Sequence, residues 1–402
     1  MSASPSTSAG SASPVLDYYR EHGIIPVDQR VELKLGEHFG RRDDLLRQIG
    51  LPPGWLAGKS IIEFGPGTGQ NARHLASLSP ARLTLIDGNA ASVEASRASL
   101  SASALPGERW AVVEREFEHV DPDPSYDLVL CEGVTNIQDD PAALIRHLGR
   151  FAAAGGVVVT TCVDAVSFFP ENLRRLMGRT LDDPTAPLDE RVRRLMPVFQ
   201  PHLDSLRGMS RRPEDWLLDV VLAPRLGGFV SMDRAIDLLA EQGFEAHGMS
   251  PRFWRDGRWY KAIGGDWNDH ARASVLRSAH NLLDYRADAP DRDAAANLDL
   301  RARCERAWRI VEGVDEEDAP EDPREAARRR LERVAPLLAS LRDDVAGWSA
   351  ATAASIDSFL TASAPVIRGG DWLAAPEFAA WFGRGQQYVA LAKVAEHGER
   401  DG

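Results

Sequence analysis

Ile61-Ile62-Glu63-Phe64-Gly65-Pro66-Gly67-Thr68-Gly69-Gln70-Asn71 is the stretch on which the reading of the fold turns. A short apolar run carrying an acidic residue opens directly into glycines at alternate positions. This is how a strand enters a helix through a turn that lets a ligand lie against bare backbone, because a Cβ there would collide with it. Asp87 closes the next apolar run, about 20 residues beyond the turn, where a carboxylate can take both hydroxyls of a ribose. Turn and acid together imply a nucleoside ligand.

Outward from this stretch, short apolar runs alternate with helix-length segments, the pattern of a parallel α/β sheet. Strands are expected over 60–64, 82–87, 110–115, 126–131 and 156–162, with helices over 70–77, 90–100 and 141–153. A helix over 231–242 and a strand pair over 244–251 and 258–263 would close the sheet. The expected architecture is therefore an α/β fold, a Rossmann-like seven-stranded doubly wound sheet. It has an N-terminal helical cap (15–54), a first core part (55–163), a helical insertion or lid after strand five (164–230), a completion of the core (231–265) and a helical C-terminal region (266–402). Residues 1–14, rich in Ser, Ala and Pro, read as a disordered tail.

The ligand follows from the spacing of the glycines. A dinucleotide site would carry Gly-x-Gly-x-x-Gly, yet Gln70 stands where the third glycine belongs, and the spacing is Gly-x-Gly-x-Gly instead. With Glu63 two residues before the first glycine, the stretch resembles motif I of the class I S-adenosylmethionine-dependent methyltransferases. Asp127-Leu128-Val129-Leu130-Cys131-Glu132 looks like their fourth strand, and Gly155-Gly156 like their turn into the fifth. The resemblance covers about residues 61–263. It implies S-adenosylmethionine as cofactor, held at Glu63, Gly65, Pro66, Gly67, Gly69, Asn71, Asp87 and Gly88, with Glu116, Phe117 and Glu118 beside the adenine and Glu132 near the sulfonium. Asn136, Ile137 and Gln138 fall in the loop that faces substrate or methionine in many relatives. The long insertion and the C-terminal region depart from a minimal member, so the resemblance carries no substrate with it.

The chain has 402 residues, 44% of them hydrophobic, and its 47 Lys and Arg against 60 Asp and Glu give a formal charge of −13. It is long enough for about two or three structural units. Its acidity speaks against a protein whose work is neutralising phosphates, so a small acceptor is expected rather than nucleic acid. Cys131, Cys162 and Cys304 are far apart and lack CxxC or Cys/His spacing, which signals neither a disulfide framework nor a metal site and fits reduced cytoplasm. The start lacks the basic and apolar regions of a secretory signal. The most hydrophobic stretch, 156–163, falls well short of the ~20 residues of a bilayer span, so no membrane partner is expected.

Methyl transfer needs in-line placement, and a general base only where the nucleophile is protonated. Base candidates are Glu132, Tyr18, Tyr19, Asp164 and His202, each of which reads as readily as a packed aromatic, a surface histidine or a capping carboxylate. Arg211-Arg212 and the cluster Arg252, Arg255 and Arg258, interleaved with Phe253, Trp254, Trp259 and Tyr260, could clamp an anionic acceptor. The acceptor is expected to be a glycan or specialised-metabolite precursor of bacterial metabolism, and the C-terminal helices offer a surface for a homo-oligomer. Transfer of another sulfonium carbon, as in aminocarboxypropyl transfer or ring closure, and a non-catalytic cofactor-binding scaffold both fit the same cofactor residues. Trp381-Phe382-Gly383-Arg384-Gly385-Gln386-Gln387-Tyr388 stands out as an aromatic anchor with a glycine turn and no assigned role.

Overall fold

The computed structural model describes residues 14–25, 34–206, 209, 211–224, 228–254, 256–316 and 322–394, so the expected tail apart from Pro14, and Arg255, lie outside the described residues. Five apolar runs form parallel strands: β1 (Ser60–Phe64), β2 (Arg82–Asp87), β3 (Trp110–Glu114), β4 (Tyr126–Cys131) and β5 (Ala152–Cys162). Residues along the central strands alternate between two buried faces, which is why these runs are apolar throughout. Ile61, Leu83, Leu85, Leu128, Leu130 and Val159 pack on one side, and Ile62, Phe64, Ile86, Val129, Cys131 and Val158 on the other.

Two cap helices, α1 (Pro14–His22) and α2 (Leu35–Gln48), precede the sheet, and α3 (Gln70–Ser77), α4 (Ala90–Ser101) and α5 (Pro141–Gly149) cross between strands. Asn89 caps α4 by accepting from the Ala91 N–H at 3.1 Å, and Asp140 caps α5 by accepting from the Ala143 N–H at 2.9 Å with Pro141 following. The expected helix over 141–153 stops at Gly149, and β5 starts four residues before its expected position, at Ala152. The alanines before Gly155 suit either element, and pairing of Ala152 with Tyr126 decides for the strand.

Beyond β5 run α6 (Phe169–Leu181), α7 (Leu188–Asp204) and the short α8 (Pro213–Trp216), which continues into a π turn over Leu217–Leu222. Then come α9 (Met232–Ala240), β6 (Phe244–Ser250), α10 (Trp267–Ser278), α11 (Ala294–Glu312), α12 (Pro323–Val345), α13 (Ala350–Ile367), α14 (Pro376–Ala379) and β7 (Gln387–Lys393). The sheet order is β3-β2-β1-β4-β5-β7-β6, with β7 antiparallel to both neighbours.

This corrects the expected closure. Residues 258–263 form no strand: Tyr260–Ala262 is a 3-10 turn, and Trp259 and Tyr260 are 63% and 68% exposed. The strand between β5 and β6 comes from the end of the described chain, so the core is completed at 387–393 and the C-terminal helices are an insertion between β6 and β7. The Trp381 motif gains its role here. Trp381 is fully buried and donates to the Leu283 carbonyl at 2.8 Å, while a Cβ on Gly383 would lie 1.8 Å from the Ser167 carbonyl oxygen. The motif steers the chain past the end of β5 and into the sheet.

The insertion after β5 is no free-standing unit. Helix α6 packs on α11 and α12, the buried Arg175 donates to Glu312 at 2.8 Å, and the buried Arg174 donates to the carbonyls of Phe378, Ala379 and Trp381. Helix α13 corrects the expectation about apolar runs, since its 18 residues have a mean hydropathy of 1.2, long and apolar enough to cross a membrane. Here it packs on α12 and α14 through buried Ile356, Phe359 and Val366.

Candidate functional site

Strand order reverses between β1 and β4, and the crevice beyond the carboxyl ends of those strands is where open α/β sheets take ligands. The three glycines after β1 all have positive φ (+75° at Gly65, +57° at Gly67, +73° at Gly69) but serve different ends. A Cβ on Gly65 would lie 2.6 Å from Val134, and one on Gly69 would lie 2.8 Å from the Cα of Ser96, so these two let the turn pack on the β4 loop and on α4. Ser96 and Ser99 fasten the turn by donating to the carbonyls of Gly67 and Gly69 at 2.9 and 3.0 Å. At Gly67, which lines the cavity, a Cβ would meet no protein atom within 4 Å.

The cavity at this place has a volume of about 540 Å³. Asp87 at the end of β2 is held by the backbone N–H of Asn89 at 2.8 Å, and burial pushes its carboxyl up to about 6 against that bond, a second from Gly67 and the charge of Arg20. Glu63 is buried and its Oε2 has no hydrogen-bond partner. Burial first, and the nearby Glu132 charge second, raise it to about 8, with Arg42 opposing.

The cap helices reach the cavity at two points. From α1, Arg20 donates to the Gly88 carbonyl at 2.6 Å and to Glu116 at 3.0 Å, over the ends of β2 and β3. From α2, His38, Arg41, Arg42 and Leu45 line the cavity, three and four residues apart and so on one helical face. Both terminal nitrogens of Arg42 bind the carboxylate of Glu132 at the end of β4, one at 2.7 Å, and Tyr388 of β7 donates to the same carboxylate at 3.2 Å. Opposite, the Tyr19 hydroxyl donates to Asp219 at 2.5 Å, and Arg211 pairs with the other oxygen of Asp219 at 2.8 Å. Asp219 sits on the π turn, a distortion often found at functional sites.

Of the residues expected from sequence, Gly65, Pro66, Gly67, Asn71, Asp87, Gly88, Glu116, Phe117, Glu118, Glu132, Ile137, Gln138, Tyr19 and Arg211 line this cavity. Glu63 and Gly69 are not among the lining residues. Others lie elsewhere. Asp164 is fully buried in an ion pair with Arg301 at 2.9 Å, and His202 is buried, accepts from Arg174 at 3.1 Å and is pushed down to about 3 by burial and by that charge. Tyr18, raised to about 12 by burial, and Asn136 are not among the lining residues. Arg252 donates to the carbonyls of Arg47 and Gln48 at 2.6 and 2.7 Å and so caps the end of α2. Arg258 is engaged with Asp256 at 2.7 Å.

Sequence reading missed His38, Arg41, Arg42, Asp219, Gln386 and Tyr388 as parts of the site. The polar residues at 38, 41 and 42 on an otherwise amphipathic helix were a usable signal. Gln386 and Tyr388 belong to the motif that stands out in the sequence, but nothing local ties that motif to the site, since its place depends on a strand pairing across more than 200 residues.

A family model described as a methyltransferase domain matches residues 40–202. Residues 40–202 thus carry a methyltransferase domain, in keeping with the class I S-adenosylmethionine-dependent superfamily. Its cofactor is S-adenosylmethionine. The cavity fits that group: a buried acid closes β2, open space adjoins Gly67, and a buried carboxylate oxygen on Glu63 is without a partner. Over 102 residues the methyltransferase chain is 37% identical to the ribosomal RNA small subunit methyltransferase C of Salmonella choleraesuis strain SC-B67, covering 24% of this chain and 29% of that protein. The chain thus spans under a third of the length of the curated relatives it matches. Among solved structures it is similar to the [4+2]-cyclase SpnF, at 11% identity and a TM-score of 0.36 over 89% of this chain and 81% of that one. It is also similar to magnesium protoporphyrin IX methyltransferase from Synechocystis PCC 6803, at 14% identity and a TM-score of 0.36 over 59% and 90%.

Proposed function

We propose that the protein transfers the sulfonium methyl group of S-adenosylmethionine to a small-molecule acceptor enclosed beneath the cap helices. One observation carries this reading: the cavity at the switch point is walled by α1, α2, the sheet, the π turn of the insertion and the approach to β7, so an acceptor beside the cofactor is surrounded by protein. The bound cofactor supplies a methyl carbon on a good leaving group. The chain's own residues supply placement and exclusion of water. In this reading Asp87 takes the ribose hydroxyls, Gly67 lets the backbone approach the ligand closely, Glu116 and Phe117 border the adenine, and Glu63 accepts from the ammonium group.

Glu132 acts as a positioning residue in this scheme, because Arg42 and Tyr388 already occupy its carboxylate. The acceptor is left the wall formed by Tyr19, Asp219, Arg211, Gln138 and Gln386. A nucleic-acid acceptor is the second reading, favoured by the ribosomal RNA methyltransferase among the relatives. The formal charge of −13 and the helical roof speak against it.

Calorimetric titration with S-adenosylmethionine and S-adenosylhomocysteine, with NAD as control, tests the cofactor reading in solution. Acceptor screening by product mass then separates methyl transfer from aminocarboxypropyl transfer or ring closure. Cofactor binding with methylated RNA and no methylated small molecule would overturn the proposed acceptor class.

A further inference from the structure

We infer that the exposed turn over 259–263, between β6 and α10, docks the protein on an anionic lipid surface. This concerns a face of the molecule outside the cavity and stands whether or not the cofactor reading holds. The expectation of no membrane partner concerned spanning segments, which attachment at a surface does not require.

Among the described residues Trp259 and Tyr260 are the most exposed large hydrophobic side chains, and Ile263, in the same turn, is also exposed. Each forgoes about 1.5–3 kcal/mol of burial by standing in water. The segment is nevertheless anchored on both sides. The ring of Trp254 lies 4.3 Å from that of Trp267, Trp267 Nε1 donates to the Ala246 carbonyl at 2.8 Å, and Phe253 is buried. The tip therefore projects from a fixed place. Lys261 Nζ lies 4.8 Å from the ring centre of Trp259 and 5.7 Å from that of Tyr260. Aromatic rings with an ammonium beside them settle at a membrane–water interface, where the rings enter the headgroup layer and the charge meets phosphate.

Charge and area choose the occupant. Residues 252–263 hold four basic residues against one acidic residue, on a chain whose formal charge is −13. Asp256 is engaged with Arg258, whereas Arg252 spends its donors on neutral carbonyls and keeps its full charge. At physiological salt a surface charge is felt over about 8 Å, so this local excess attracts an anionic surface despite the acidity of the whole. The three apolar side chains expose on the order of 400 Å². That is about half of what each partner contributes to a stable protein interface, ~800 Å², whereas a headgroup layer needs no complementary shape. The turn also sits on the functional edge of the sheet: β6 and β5 are both antiparallel to β7, so the two run the same way and end on the same side. A groove lined by Arg41, Leu45, Arg47, Gln48 and Arg252 shares Arg41 and Leu45 with the cavity. Docking at the turn sets that groove beside the lipid.

The test is co-sedimentation of the full chain with vesicles of phosphatidylcholine alone and of phosphatidylcholine mixed with phosphatidylglycerol, at low and high salt. Thermal unfolding checks the fold of each variant, and sedimentation velocity reports the oligomeric state. The wild-type protein should bind the mixed vesicles about tenfold or more tightly than the neutral ones, and high salt should weaken that binding. Trp259→Ser with Tyr260→Ser should lose about tenfold or more through the missing apolar insertion, and Lys261→Glu about tenfold through charge reversal. Leu298→Ser, an exposed apolar position on α11, should bind as the parent does. Absence of wild-type binding to either vesicle, equal binding to both, or undiminished binding of the folded double variant would overturn the inference. A dimer that the double variant abolishes, without vesicle binding, would assign the turn to a second copy of the chain instead and overturn it too.

Discussion

Arg42 of the cap and Glu132 at the end of β4 form a two-pronged ion pair whose side chains are only 9% and 7% exposed. Ninety residues separate them in sequence, and the pair fastens α2 to the mouth of the sheet. Burial makes such a pair costly to break and weakly stabilising to keep. Glu132→Ala, which strands the guanidinium, should cost about 3–5 kcal/mol in denaturant unfolding. Arg42→Met with Glu132→Leu should recover most of that loss. A double variant no more stable than the single one would show that the cap is held by other contacts.

The glycine turn separates stability from binding. Gly69→Ala places a Cβ 2.8 Å from the backbone of Ser96 at a φ of +73°, so it should lower stability by about 1–3 kcal/mol. Gly67→Ala meets no protein atom and should cost only about 1 kcal/mol for its φ of +57°. Its methyl group borders the cavity, so S-adenosylhomocysteine affinity should fall about tenfold or more. Melting curves and calorimetry on the two variants check the contrast, which would fail if Gly67→Ala bound normally.

Glu63 predicts a trade between stability and function. Its value of about 8 lies above the ordinary 4.5, with Glu132 and Asp87 adding to burial and Arg42 opposing. The sign follows from linkage: folding favours the protonated form, so this contribution is intact at low pH and is lost as pH rises from about 4.5 through 8. Glu63→Gln should therefore be more stable than the parent by on the order of 2 kcal/mol at pH 8.5, and the gap should narrow toward pH 5.5. Calorimetry at pH 7 in buffers of different ionisation enthalpy should show a proton released when S-adenosylhomocysteine binds the parent, and none for the variant. Binding without proton release would mean that Glu63 is not the group facing the ammonium.

The closing strand gives the fourth expectation. Val389, Ala390 and Leu391 are buried between β5 and β6, so truncation before Gln387 should abolish cooperative unfolding. Trp259→Ser with Tyr260→Ser, on an exposed turn, should leave the melting temperature within about 2 °C of the parent. Circular dichroism melts distinguish the two cases, and a folded truncation would contradict the role given to β7.

What the sequence could show depended on the range of the interaction. Glu63, the glycines and Asp87 announce themselves because strand, turn and acid are set by neighbours a few residues away, and β1, β2 and β4 fall where their apolar runs place them. The hairpin over 258–263 was misread for the same reason: its aromatic residues carry strand propensity, which is only a preference for a half-buried pleated surface, and no such surface is supplied there. Asp164 and His202 looked available as bases, yet each is consumed by an arginine distant in the chain.

By itself, then, the sequence determined the nucleoside-binding half of the protein, because local backbone geometry and two-sided strand burial leave a periodic record in neighbouring residues. Only the tertiary structure decided which strand closes the sheet, that Tyr388 and Arg42 meet at Glu132, and that Tyr19 meets Asp219 across the cavity. Those are contacts between residues 90 to 256 positions apart, and long-range packing of a polar side chain leaves no periodic mark on the chain around it.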